Sequence, residues 1–317
     1  MLKYTVQRIL LMLMTLFIIT CLCFVLIRML PPVELPPEDP HTAVVLARRE
    51  AAGYNKPYLV QLGIFLRDVL LRWDWGVSEK LYFGQDVAEL FASKLPATVL
   101  VNVYSVLVSI PVGIFLGIVA AVNKNNWLDH TVSTLTMVVI SVPSFVYAFL
   151  IQYYLSYKWG WFPFLMATGQ DYFSFPMFVS MIPPVLALSF GQIAGYTRVT
   201  RAELTEVLTG EYMLLARAKG LSRGRATVVH GLKNCLAVVI PSVLGSVVSV
   251  LSGSLIIERI FGIPGVGALY LNSINGRDYP LFMILTVFYT FVGLVAGIVV
   301  DISYGFLDPR VRIGVEK

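Results

Sequence analysis

The chain has 317 residues, 57% of them hydrophobic and only 14% charged, with a mean hydropathy of +0.76. A soluble domain carries about 25% charged residues, so a water-facing surface is excluded for much of this fold, and lipid-facing surface accounts for the shortfall. The net charge of +5 is modest and bears on membrane orientation rather than on nucleic-acid binding.

A bilayer core needs about 20 apolar residues in helix. Six runs meet that length: 9–30, 98–122, 132–154, 178–197, 236–257 and 281–304. The first follows Lys3 and Arg8, as a signal peptide would, but its apolar stretch is longer than an ordinary h-region and no Ala-x-Ala site follows, which favours an uncleaved helix. The fourth is interrupted by Pro183, Pro184, Gly191 and Gly195, breaks that neighbouring helices or water compensate. Cys21 and Cys23 fall inside one apolar run and Cys235 opens another, while His41, His130 and His230 are scattered. These cysteines read as packing residues, with no metal site and no disulfide framework.

Lys and Arg counts orient the spans. With the N-terminus inside, the cytoplasmic set includes Lys3, Arg8, Lys124, Arg198, Arg201, Arg217, Lys219, Arg223, Arg225, Lys233, Arg310, Arg312 and Lys317, against Lys158, Arg259 and Arg277 in the short outer loops. Both termini are therefore expected in the cytoplasm. The expected layout is an N-terminal span over 1–30, an extracytoplasmic segment over 31–95, a permeating core over 96–304 with a cytoplasmic loop at 200–234, and a cytoplasmic tail over 305–317. Tyr153, Tyr154, Tyr157, Trp159 and Trp161 form an aromatic belt at the outer end of the third span. In the extracytoplasmic segment, Leu59, Leu62, Leu66, Val69, Leu70 and Trp73 follow helical spacing, with Arg67, Asp68 and Arg72 opposite. This pattern fits a short helix on the membrane surface or over the outer helix ends. A docking surface for an external partner is the sharper alternative.

Small residues recur four apart at Gly113 and Gly117, at Gly245, Ser249 and Gly253, and at Gly293 and Gly297, a spacing that lets helix backbones approach. The run in the fifth span is expected near a subunit interface or a pathway. Charges inside the spans are nearly absent: Glu258 and Arg259 sit at the outer end of the fifth and Asp301 near the inner end of the sixth. A charge at the bilayer centre costs at least about 2.5–3.5 kcal/mol and is kept where ion coupling needs it. Without a clear candidate, a carrier driven by an ion gradient is disfavoured, and energy must come from elsewhere. Neither a phosphate-cradling G-x-x-x-x-G-K-[ST] loop nor H-E-x-x-H occurs, so no enzymatic activity is expected of this chain.

The stretch from Thr200 to Asn234 reads as two helices broken at Gly220. Ala202 to Lys219 is rich in helix formers with a weak point at Thr209–Gly210, and Ser222 caps a second helix running to about Asn234. Glu203, Glu206 and Glu211 balance Arg217, Lys219, Arg223 and Arg225, so the loop suits a protein socket better than anionic lipid.

Glu211, Tyr212, Ala216, Arg217, Ala218, Lys219, Gly220, Leu221, Ser222, His230, Leu232 and Asn234 fall on a pattern that resembles the cytoplasmic loop of importer permeases of the ATP-binding-cassette class, in their dipeptide/oligopeptide branch. Leu214 and Leu215 replace the two alanines of the general signature. The stretches IIERIFGIPGVGALYLNSINGRDYPL, VDISYGFLDPRVR, WDWGVSEKLYFGQDV with KLPAT, and the opening YTVQRILLMLMTLFIITCLCFVLIRMLPP are similar to the same branch, in its B-type member. PPVELPPEDP stands where that branch has Pro-Gly-Asp-Pro.

The resemblance implies an all-α membrane protein with about six spans and a coupling helix between the fourth and fifth. It implies a bacterial or archaeal cytoplasmic membrane and, as partners, a C-type permease, two ATPase subunits that hold ATP and Mg, and an extracytoplasmic substrate-binding protein. Lipid is the remaining partner and no nucleic acid is expected. No cofactor is expected in this chain. The implied cargo is an oligopeptide or dipeptide; a nickel chelate, haem or a glycoside on the same architecture is the alternative, with a secondary transporter or a membrane scaffold further off. The resemblance makes Glu211 to Ser222 the contact to the ATPase. For the pathway, Asn102, Ser141, Pro143, Ser144, Phe145 and Ser252 are polar or kink-forming candidates, whose hydroxyls bonding within their own helices is the competing reading. The outer gate is expected at Glu258, Phe261, Pro264, Gly265 and Gly267, where proline and glycine shape a tight re-entrant turn.

Overall fold

The computed structural model describes residues 2–169, 171–249 and 254–307. Among them there is no strand, only an isolated bridge between Val77 and Asp86. In chain order the helices are α1 (Leu2–Arg28), α2 (Thr42–Ala51), α3 (Tyr58–Arg72), α4 (Val87–Val122), α5 (Trp127–Ser141), α6 (Ser144–Ile151), α7 (Phe175–Thr209), α8 (Glu211–Ala218), α9 (Arg223–Ala226), α10 (Leu232–Ser249), α11 (Leu255–Ile260), α12 (Val266–Gly276) and α13 (Tyr279–Leu307). π-helical stretches continue α6 over Gln152–Lys158 and join α9 to α10 over Thr227–Gly231. Five helices are long and apolar enough to cross a bilayer, and the pair α5 and α6, bent by 100°, passes the same test together, as a broken sixth span or a re-entrant loop.

The helix of the second span begins at Val87, about three turns before its apolar run. Its start is set by Asp86, whose carboxylate accepts from the amides of Ala88 and Glu89 at 2.8 and 3.1 Å. At 36 residues it is about 54 Å long, well beyond a 30 Å hydrocarbon core. The third span is not one kinked helix. Pro143 lacks an amide hydrogen and forces its predecessor out of the α region; Val142 is extended at φ −88°, ψ 127°, and α6 starts afresh at Ser144. The fourth, by contrast, runs unbroken through Pro183 and Pro184 for 35 residues.

The fifth run is not one described helix: α10 is described as far as Ser249, and α11 starts as a separate short helix after Ser254, whose backbone is extended. The second helix of the 200–234 loop does not stop near Asn234, because α9, the π-stretch and α10 follow one another directly from Ser222 into the span.

Among the described residues the most extensive helix pairing is α4 against α7. A Cβ at Gly113 would lie 2.7 Å from Cβ of Tyr196, and one at Gly117 2.6 Å from Cβ of Thr200, so glycine is what lets these backbones meet. Ser109 Oγ donates to Gln192 Oε1 at 2.7 Å across the same seam, and Thr197 Oγ1 donates to the carbonyl of Gly113 at 3.2 Å. Gly245 serves an intrachain contact: a Cβ there would meet Val300 of α13 at 2.6 Å. Gly253 lies outside the described residues. Cys235 is buried with Leu204 and Val239, a packing residue as its sequence context implied.

Residues 31–86 fold into a cap that includes α2, an element without a clear periodic signal. Val69 and Trp75 pack with Val87, Leu90, Leu269 and Leu285, while Leu59, Leu70 and Trp73 are exposed. The face of α3 that goes inward is therefore narrower than the apolar spacing implied. Inside the cap, Glu79 takes Arg49 at 2.6 Å and the Tyr54 hydroxyl at 2.7 Å, and Arg28 lies 3.8 Å over the Tyr54 ring. Burial, with the Glu79 charge behind it, pushes the Tyr54 phenol up to about 12.

Candidate functional site

Residues 254–276 build an elbow around one buried carboxylate. Ser254 caps α11 by accepting from the amide of Ile257 at 3.4 Å, and α11 ends after two turns at Gly262, whose φ of +62° suits glycine. The chain reverses so that the amide of Ile263 reaches back to the carbonyl of Glu258 at 2.8 Å. This reversal aims the N-terminus of α12 at the Glu258 side chain, which is 2% exposed. Its Oε2 accepts from the amides of Gly267 and Ala268 at 2.8 and 3.0 Å, and its Oε1 accepts from Thr98 Oγ1 at 2.8 Å. Thr98 in turn accepts from the amide of Val266 at 2.9 Å. A carboxylate from one helix thus caps another, with the favourable charge–dipole sense, and Thr98 ties both to the second span.

Gly265 and Gly267 are the condition for this arrangement. A Cβ on Gly265 would fall 2.3 Å from Thr98 Oγ1 and 2.5 Å from Glu258 Oε2, and one on Gly267 2.8 Å from Glu258 Oε2. Phe261 is fully buried and its carbonyl accepts from the amide of Met166 at 2.8 Å. Gln152, on the π-stretch after α6, donates to the carbonyls of Ile260 and Phe164 at 2.8 and 3.0 Å. Glu258, Phe261, Gly265 and Gly267 are therefore brought together, with Pro264 half-buried beside them. Thr98 and Gln152 belong to the same cluster; neither stands out in the sequence, since a threonine and a glutamine in apolar helices carry no pattern of their own.

Next to the elbow, Asp278 joins cap to core. Its fully buried carboxylate accepts from Ser78 Oγ and from the amides of Glu79, Lys80 and Leu81 at 3.2, 3.2 and 3.0 Å. Four donors from one turn of the cap converge on a residue one position before α13.

The pathway candidates do not form one group. Asn102 is buried and its amide donates to the carbonyl of Thr98 at 2.8 Å, one turn from the elbow. Ser141, Pro143, Ser144 and Phe145 are exposed at the break between α5 and α6. Ser252 lies outside the described residues.

At the other end of the long helices, Gly210 opens the chain after α7 and α8 follows. Met213 and Ala216 turn inward against Ala226, Leu208 and Leu221. Leu214 and Leu215, 63% and 57% exposed, face outward with Glu211, Arg217, Ala218 and Lys219. Gly220 takes φ +88°, the left-handed turn that reverses the chain, and Ser222 Oγ accepts from the amide of Arg225 at 3.4 Å. Tyr212 belongs to α8 by its backbone. The result is a short helix presenting two leucines and two cations, covered by nothing else among the described residues.

Below α8 lies a pair that sequence reading passed over. Asp129, in the first turn of α5, binds Arg201 of α7 through Nε and, at 2.9 Å, through the second nitrogen. Only spatial pairing marks these two, since Arg201 alone reads as one more cytoplasmic cation.

A family description, binding-protein-dependent transport system inner membrane component, matches residues 113–313. The dipeptide transport system permease protein DppB of Bacillus subtilis (strain 168) is 34% identical over 314 residues, 99% of each chain. The protein of the same name from Lactococcus lactis subsp. cremoris (strain MG1363) is 35% identical over 315 residues, covering 99% of this chain and all of the relative. The oligopeptide transport system permease protein OppB of Haemophilus influenzae (strain ATCC 51907 / DSM 11121 / KW20 / Rd) is 33% identical over 313 residues, covering 98% and 100%. Among solved structures, an amino acid ABC transporter with histidines superposes with a TM-score of 0.55 at 17% identity, over 69% of this chain and 94% of that one.

Proposed function

The chain belongs to the inner-membrane components of binding-protein-dependent transport systems, and on that premise we propose that it is the B-type half of a peptide-importing pathway driven by separate ATPase subunits. The observation that carries this reading is the 33–35% identity, end to end, to permeases named for dipeptides and oligopeptides. The exposed face of α8 supports the ATPase contact. Leu214 and Leu215 supply an apolar centre, and Arg217 and Lys219 supply charge at its rim, a composition suited to a protein groove. ATP and Mg are bound by the partners, and the pathway is completed by a C-type permease and fed by an extracytoplasmic binding protein.

The geometry suits a lever. With α8 at the end of the 35-residue α7, a push on α8 is delivered to a helix that packs against α4 from Tyr104 to Gly117, and the same α4 carries Thr98 and through it the Glu258 elbow. We assign that elbow to the outer gate.

The test is reconstitution with and without the candidate ATPases and second permease, following uptake of a labelled peptide. ATP-dependent uptake by the full set is expected. Uptake by this chain alone under a proton gradient overturns the reading. Gly220→Pro and Arg217→Glu are each expected to abolish ATPase docking, and docking that survives both removes α8 as the contact.

A further inference from the structure

We infer that the Asp129–Arg201 ion pair is the latch that makes the broken span α5–α6 follow α7 when α8 is displaced, so that motion reaches the Glu258 elbow by a second route. The inference rests on the importer reading above.

The pair sits where such a latch is needed. Arg201 lies eight residues before the end of α7, about 12 Å along the helix from the turn into α8. Asp129 lies in the first turn of α5 and its side chain is 1% exposed. The carboxylate is fully engaged: besides two guanidinium nitrogens it accepts from the amide of Asn125 at 2.9 Å and from Ser133 Oγ at 3.2 Å. A bidentate guanidinium–carboxylate pair fixes orientation as well as distance, whereas apolar contacts between helices permit sliding. Among the described residues the other ion pair joining two spans is Arg8–Asp301, at 43% and 34% exposure, which solvent weakens.

The same span is held at its far end. Gln152, 5% exposed, follows α6 without interruption and donates to the carbonyl of Ile260 in the elbow. Between these two anchors lies the 100° break at Val142–Pro143. A rod clamped at both ends and jointed in the middle converts a movement of one anchor into a rotation at the other. Asp129 and Arg201 contact neither cargo nor nucleotide in this scheme; they are positioning residues.

The experiment uses the assembled importer in nanodiscs, with Cys21, Cys23 and Cys235 replaced by serine. Spin labels are placed at Leu135→Cys on α5 and Leu150→Cys on α6, both on exposed positions. The label-to-label distance is measured without nucleotide and with ATP trapped by vanadate. In the parent protein the distance is expected to shift on trapping. Asp129→Asn is expected to suppress that shift while the ATPase rate and assembly persist, with uptake per ATP falling about fivefold, within the range for residues that modulate coupling without touching a ligand. Asp129→Glu is expected to restore most of the shift.

An Asp129→Asn variant with the parent shift and the parent uptake per ATP overturns the latch. So does a parent protein whose distance does not change, because the joint is then rigid. Where Asp129→Asn fails to assemble, Arg201→Lys decides: it keeps the charge without the bidentate fork, so a partial shift supports the latch and a full one overturns it. A normal distance shift without peptide uptake removes the peptide cargo and leaves the latch standing.

Discussion

Removing the Glu258 carboxylate is expected to collapse the elbow, and the size of the effect follows from its partners. Glu258→Ala strands three donors in a buried site: the Thr98 hydroxyl and the amides of Gly267 and Ala268. An unsatisfied buried donor costs about 1–3 kcal/mol, so the three together, after partial relaxation, cost roughly 3–6 kcal/mol. Glu258→Gln is milder. Its carbonyl oxygen still accepts from both amides, and its NH2 turns to Thr98, whose lone pairs can take it. The Thr98 proton alone loses its acceptor and charge assistance disappears, for a cost of about 1–3 kcal/mol. Thr98→Val removes a donor to Glu258 and the acceptor for the Val266 amide, about 2–4 kcal/mol.

Because all three changes act on one network, Glu258→Gln and Thr98→Val are expected to be non-additive by about 0.5–3 kcal/mol. The assay is thermal unfolding of the purified membrane protein in one detergent, run as a double-mutant cycle. Single variants within about 0.5 kcal/mol of the parent, a normal surface-substitution effect, together with strict additivity, refute the network as the element that holds the elbow.

Glycine substitutions are expected to divide sharply. Gly265→Ala drives a methyl into Thr98 and Glu258 and abolishes a stable fold, whereas Gly293→Ala meets nothing within 4 Å in this chain and changes the unfolding temperature of the isolated chain little or upward, since alanine is the better helix former by about 1 kcal/mol. In the cap, Tyr54→Phe removes the hydroxyl from Glu79 and is expected to cost about 1–3 kcal/mol by thermal unfolding. The phenol titrates near 12 when folded, against about 10 in an unfolded chain. Its contribution is therefore complete below pH 10 and lost as pH rises from 10 through 12, which the parent-minus-variant tyrosinate absorbance checks. Asp278→Ala leaves Ser78 and three amides without an acceptor, and limited proteolysis is expected to cut the 73–86 turn well before the spans; protection equal to the parent's refutes the clamp.

Several features were legible because they follow from local rules. The need of a bilayer for about 20 apolar residues marked six runs; five of them hold membrane-length helices, and the third is the bent pair α5 and α6. Pro143 marked a kink because proline cannot donate and restricts its neighbour, and the fold makes it a full break between two helices. Gly220 and the weak point at Thr209–Gly210 marked the turns around α8, and periodicity located α3.

Tertiary structure decided what depends on residues far apart in the chain. The 100° bend at Pro143 lies between the contact of α5 with Arg201 and the contact of Gln152, after α6, with the elbow, and no local rule specifies those partners. Glu258 was visible as a charge at the end of an apolar run, but the partner that gives it a role, Thr98, is 160 residues away. Asp129 and Arg201 are 72 apart, and Ser78 and Asp278 are 200 apart. A buried charge requires compensation wherever the fold supplies it. The sequence alone therefore determined that such groups must find partners and roughly where the chain crosses the membrane, while only the packed helices decided which residues those partners are.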